Sequence, residues 1–163
     1  MNRLPEAVLD ASILVQTLVR EKYTDTAIKL VGTLKTIHAP SLIPYEIGNA
    51  LVMLASRNFI TKEDAIRKLE SFNSISTINI RDIKLSTAIE IAIELKITLY
   101  DATYLALALE ADAPLITADR ELCEKGKTIT NAIHASELKS IFGADPWLTT
   151  QGLREEEEPH ETS

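Results

Sequence analysis

Short runs of β-branched and aliphatic residues alternate along this chain with longer segments whose apolar positions recur at helical spacing. AVL at 7–9, TIHA at 36–39, STINI at 76–80, PLIT at 114–117 and KTITNA at 127–132 read as strands. Helical patterns occupy 12–21, 24–35, 42–58, 61–73, 82–96, 101–112, 119–125 and 135–141. In 82–96, Ile83, Ala88, Ile89, Ala92 and Ile93 form one face, and Lys84, Thr87, Glu90 and Glu94 the other. The stretch 101–112 is apolar on nearly every side and predicts a deeply buried helix. Strands separated by helices make a mostly parallel sheet flanked by helices, an α/β sandwich.

Four acidic positions acquire meaning on that scaffold. Asp10, Asp101 and Asp119 stand where an apolar run meets a helix, in AVLD, LYDATYLALAL and PLITADREL. Glu46 lies early in the apolar helix PYEIGNALVML. Ligands of parallel sheets bind beyond the carboxyl ends of the strands, the edge on which Asp10 and Asp119 fall. Two carboxylates about 5 Å apart repel by roughly 3 kcal/mol at an effective dielectric near 20, so four together need protons or cations. Oxygen donors without nitrogen or sulfur favour Mg2+ or Mn2+, which polarise a phosphoryl oxygen and acidify water. This points to metal-dependent hydrolysis of a phosphodiester. Aspartate is also a favoured helix N-cap, so capping is the competing explanation for Asp10, Asp101 and Asp119. Glu46 and Asn49 share a helix face otherwise dominated by Ile47, Ala50, Leu51, Val52, Met53 and Leu54. They read either as parts of a polar site or as buried groups bonded to nearby backbone.

The 163 residues are enough for one domain with a substantial core. Hydrophobic residues at 45% and charged residues at 25% are ordinary for a soluble globular protein. No apolar run approaches the roughly 20 residues that span a bilayer, and MNRLPEAVLD lacks a signal-like stretch, so a cytoplasmic location is expected. The single Cys123 excludes an internal disulfide and reads as a helix-buried thiol. A net charge of −7 argues at first against a nucleic-acid partner. However, REEEEPHETS at 154–163 carries five acids and one arginine, leaving the body near −3. The four site carboxylates more than account for that, so charge neither supports nor excludes RNA. From about 143 periodicity is lost: residues 1–142 read as the folded domain and 143–163 as an extension with a disordered acidic tail. Trp147 and Leu148 are the extension's candidates for packing back on the body.

Other chemistries lack support. The five glycines form neither GxxxxGK[ST] nor GxGxxG, so no nucleotide cofactor is expected. His38, His134 and His160 are not at metal-ligand spacing and read as structural or solvated. There is no GxSxG nucleophile elbow.

At the acidic positions the chain resembles the PIN-domain ribonucleases, and within them the small VapC-type toxins. The matching pieces are VLDASIL at 8–14, PSLIPYEIGNAL at 40–51 and LYDATYLALALEADAPLITADREL at 99–122, within a resemblance spanning about 5 to 142. The resemblance implies a three-layer α/β/α sandwich around a mostly parallel five-stranded sheet. It implies a pocket where Asp10, Glu46, Asp101 and Asp119 hold one or two Mg2+ or Mn2+ ions, with Ser12, Asn49 and Thr117 as supporting polar residues. It further implies a homodimer and a VapB-like antitoxin whose tail covers the acidic groove, where a partner arginine neutralises the carboxylates. Some family members carry a further acid two positions after the last aspartate. Glu121 stands there and reads as a solvated helix residue.

The expected activity is therefore endoribonucleolytic, by in-line attack of water on phosphorus. Asp10, Asp101 and Asp119 would ligate metal, and Glu46 would ligate or orient the nucleophile. Arg20, Lys22, Arg57 and Arg120 are the basic residues considered for RNA contact. Two other functions fit less well. One is a non-catalytic PIN-like scaffold for protein or RNA, which has no need of four acids. The other is a different Mg2+-dependent phosphoryl hydrolase, which lacks its DxD because the run is Asp10-Ala11-Ser12.

Overall fold

The computed structural model describes residues 6–138. Five strands, β1 (Glu6–Leu9), β2 (Thr36–Pro40), β3 (Ile78–Arg81), β4 (Leu115–Thr117) and β5 (Ala132–His134), form one parallel sheet in the order β3-β2-β1-β4-β5. The helices are α1 (Ala11–Leu14), α2 (Thr24–Thr33), α3 (Ile43–Ser56), α4 (Lys62–Asn73), α5 (Leu85–Leu95), α6 (Leu99–Ala111) and α7 (Arg120–Gly126). Parallel neighbours require crossovers, and right-handed crossovers set α1–α4 on one face and α5–α7 on the other. Contacts agree: α3 packs on α4 and on α1, while α6 packs on α5 and crosses β2, β1 and β4. The three-layer α/β/α sandwich is as expected. The extension 143–163, with Trp147, Leu148 and His160, lies outside the described residues, and no described helix is long and apolar enough to cross a membrane.

The topology places the site. Chain order runs from β1 towards β2 and β3 on one side, then returns to β4 and β5 on the other. The reversal opens a crevice at the carboxyl ends of β1 and β4. Leu9 is in register with Ile116, so Asp10 and Thr117 emerge side by side. Beneath them the core is aliphatic: Ala7, Val8, Leu9, Leu115 and Ile116 are fully buried. Helix α6, as its uniformly apolar sequence requires, is buried from Ala102 to Ala108. Gly126 at the end of α7 lets that helix approach: a Cβ there would meet Leu105 Cδ2 at 2.8 Å and the Ala132 Cβ at 3.2 Å.

Three elements differ from the sequence reading. The helix expected over 12–21 stops at Leu14 and tightens into a 3-10 turn, Val15–Thr17. There the Thr17 hydroxyl donates to the Leu14 carbonyl (2.7 Å), and the Leu18 N–H bonds three rather than four residues back. The strand expected at 127–132 begins only at Ala132. The N–H groups of Lys127, Thr128, Ile129 and Thr130 instead cap carbonyls at the end of α7, so the β-branched run serves a turn. On α5 the apolar face divides: Ala88 is buried and Ile83 and Ala92 are half-buried, whereas Ile89 and Ile93 are exposed, and Ile91, outside that face, is buried. The helix is apolar on two sides, and it packs on α6.

Candidate active site

Asp10 is the buried centre of the site. It occupies the N-cap position of α1 with extended backbone, yet its side chain makes no capping hydrogen bond. The carboxylate instead accepts from the Ser12 hydroxyl (2.5 Å) on one oxygen and from the Thr117 hydroxyl (2.8 Å) on the other. Ser12 Oγ in turn accepts the Ala118 N–H (2.9 Å), and Thr117 Oγ1 accepts the Asp119 N–H (2.9 Å). The tip of β1 is thus laced to the β4–α7 turn. His134, on β5, closes the other side of that turn: its Nε2 lies 3.1 Å from the Ala118 carbonyl, an acceptor, so that nitrogen carries the proton. Nδ1 is then left to accept from Ser136.

The other acids approach from the helices. Glu46, on the first turn of α3 and half-buried, accepts the Tyr104 hydroxyl of α6 at 2.8 Å. Asp101 stands in the first turn of α6 and does not cap it: Thr98 does so, its hydroxyl accepting the Asp101 N–H at 3.1 Å. Asp119 does cap α7, accepting from the Leu122 N–H at 3.1 Å. Helix capping therefore accounts for one oxygen of Asp119 and for neither of the other aspartates.

The acids act on one another. Burial pushes Asp10 up to about 7, against the opposing pull of the Ser12 and Thr117 bonds, with Glu46 and Asp101 adding to the rise. Burial also raises Glu46, opposed by the Tyr104 bond and reinforced by Asp101. Asp101 is raised by burial and then by the charges of Asp119 and Glu121. Acids from α1, α3, α6 and the β4–α7 turn thus share a single field.

Some expected residues are not brought in. Asn49, one turn beyond Glu46, is exposed and joins no described residue of the network. Glu121 is exposed and paired with Lys125 at 2.9 Å, in keeping with a solvated residue. Arg20 is exposed and pairs with Asp25, while Lys22 lies over the Tyr23 ring; Arg57 and Arg120 are exposed. Tyr104 was not singled out by the sequence reading, where it looks like one more apolar position of α6. Its signal was its place three residues after Asp101, on the same helix face, with a hydroxyl that must find a partner once buried.

The family model for the PIN domain matches residues 7–128. This chain belongs to the PIN-domain family. Ribonuclease VapC3 of Pyrobaculum aerophilum is 31% identical to it over 122 residues, spanning 72% of this chain and 92% of that protein. Ribonuclease VapC1 of Mycobacterium tuberculosis is 34% identical over 123 residues, spanning 73% and 90%. The crystal structure of PAE2754 from Pyrobaculum aerophilum shares the fold with a TM-score of 0.63 at 32% identity, covering 82% of this chain and 92% of that one. Within the PIN family the chain is VapC-like.

The donor set of this PIN domain suits a hard divalent cation: it is all carboxylate and hydroxyl oxygen, and three of its acids carry a cost that positive charge would offset. Among the described residues no three His, Cys, Asp or Glu side chains already stand at ligand spacing. An ion here would draw the acids inward or reach some through water, as Mg2+, which retains several waters, commonly does.

Proposed function

We propose that this PIN domain is a VapC-type endoribonuclease that cleaves RNA phosphodiesters with one or two Mg2+ or Mn2+ ions held by Asp10, Glu46, Asp101 and Asp119. The observation that supports it most is Asp10, a carboxylate only 5% exposed at the β1–β4 crevice, facing the field of two further acids. A bound divalent ion supplies positive charge for the scissile phosphate and acidifies water. The chain's own residues do the rest. Ser12 and Thr117 fix both oxygens of Asp10, so its position costs no reorganisation when substrate arrives. Glu46 and Asp101 project from two helices and hold the charge opposite the phosphate. Asp119 keeps one oxygen for the α7 backbone and offers the other to the site.

The test is cleavage of single-stranded RNA by metal-depleted protein. EDTA-treated enzyme is expected to be inactive and to recover with Mn2+ or Mg2+, and Asp101→Asn to lose roughly a hundredfold or more. Cleavage that persists in EDTA, or is untouched by Asp101→Asn, contradicts the assignment.

The VapC relatives support a toxin paired with a VapB-like antitoxin, whose arginine would neutralise the same acids. A second copy of the chain is proposed to cover α5. Leu85, Ile89 and Ile93 recur there every four residues and are exposed by 58%, 47% and 73%. An antiparallel two-fold crossing centred on Ile89 sets Leu85 against Ile93 of the second copy, and Lys84 against its Glu94. Ile93→Glu is expected to turn a dimer into a monomer in light scattering with RNA cleavage retained per site; an unchanged mass would place the contact elsewhere.

A further inference from the structure

The link between Tyr104 and Glu46 joins two helices on opposite sides of the sheet beside the site, and Tyr104 is 1% exposed. A buried phenol hydroxyl needs a partner, and this one has its proton committed. The O–H is directed at Glu46 Oε1, 2.8 Å away. Glu46 is therefore held by one oxygen, while Oε2 accepts no hydrogen bond from any described residue. The hydroxyl also lies on α6, one turn after Asp101, so one helix presents an acid and the group that orients a second acid.

We infer that Tyr104 is a positioning residue of the site: by donating to Glu46 Oε1 it ties α3 to α6, the helix that carries Asp101, and leaves Glu46 Oε2 as the oxygen that would serve the ion. The inference rests on Glu46 being a metal-binding acid. Hydrogen bonds to charged groups are worth enough to hold a rotamer that a solvated glutamate would share with several others.

Tyr104→Phe removes one oxygen and keeps the ring that packs in α6. The test is a double-mutant cycle with Glu46→Gln, read as Mn2+ affinity by calorimetry on metal-depleted protein, alongside kcat and KM on RNA. Tyr104→Phe alone is expected to weaken Mn2+ about fivefold and lower kcat about tenfold with KM within about threefold, amounts in keeping with one charge-assisted bond. In the Glu46→Gln background the same change should move Mn2+ affinity by less than about twofold, since the group it positions is gone. Equal losses in both backgrounds would mean that the hydroxyl acts through packing, and the inference fails. If Glu46→Gln weakens Mn2+ and Tyr104→Phe does not, only the role of Tyr104 is overturned. If Glu46→Gln itself leaves Mn2+ binding unchanged, the metal-binding reading of Glu46 falls and the inference falls with it.

Discussion

Asp10→Asn is expected to lose RNA cleavage by at least about a hundredfold and, without metal, to melt at a higher temperature than the wild type. The two effects share one cause. Asp10 is buried beneath the crevice, and burial together with Glu46 and Asp101 lifts it to about 7. Near neutrality the folded protein therefore keeps a charge where charge is disfavoured. An amide has nearly the same shape, can still accept from Ser12 and can donate to Thr117 Oγ1. The substitution spares the desolvation cost at the loss of two charge-assisted bonds, for a net gain of about 2 kcal/mol at pH 7.5. That corresponds to about 6 °C in a domain of this size. In the proposed mechanism, the lost charge is the one the chemistry needs. Paired measurements of Tm and cleavage check both halves; a variant that is inactive and also less stable would show that Asp10 holds the fold, with no cost stored for function.

The second large effect is the pH dependence of the metal-free protein. In the unfolded chain an aspartate releases its proton near 4, whereas folded Asp10 holds it up to about 7. Between those values the native state binds more protons than the unfolded state, so stability falls as pH rises and levels off above the folded value. The full excursion is about 4 kcal/mol for Asp10, and the raised Glu46 and Asp101 act in the same direction. Metal-depleted protein is thus expected to melt about 10 °C lower at pH 8 than at pH 5. Saturating Mn2+ should flatten that slope, since a cation stabilises the ionised acids. Thermal melts across pH with and without Mn2+ decide it, and a metal-free Tm that rises with pH would reverse the sign argued here.

Much of this was legible because a parallel α/β chain announces its strand ends. An apolar run that stops at an acid before a helix marks the carboxyl edge of the sheet, and Asp10 and Asp119 were found that way. Residue type also exposed its own ambiguity, since each aspartate suited a cap. Thr98-Leu99-Tyr100-Asp101 carried the answer for Asp101, because a threonine three residues ahead is itself a good N-cap, and α6 begins there. Other features were hidden for lack of a partner in the sequence. Nothing along α5 says which of its apolar positions meet the core, so the face that holds Ala88 does not reveal that Ile89 and Ile93 stand outside. Asn49 looked inward because its neighbours are aliphatic, yet Val52 and Met53 are exposed too. The Tyr104–Glu46 bond spans 58 residues and exists only once α3 and α6 meet over the sheet. The His134 contact to Ala118 likewise depends on β5 lying beside β4.

The shared-cation site is tested most directly by titrating Mn2+ into metal-depleted protein at pH 6.5 in two buffers of different ionisation heat. Saturable binding with release of up to about one proton, and loss of both in Asp10→Asn, is the predicted result, because an ion must displace the proton that Asp10 holds. Absence of binding at millimolar Mn2+, or binding that Asp10→Asn leaves intact, would contradict it.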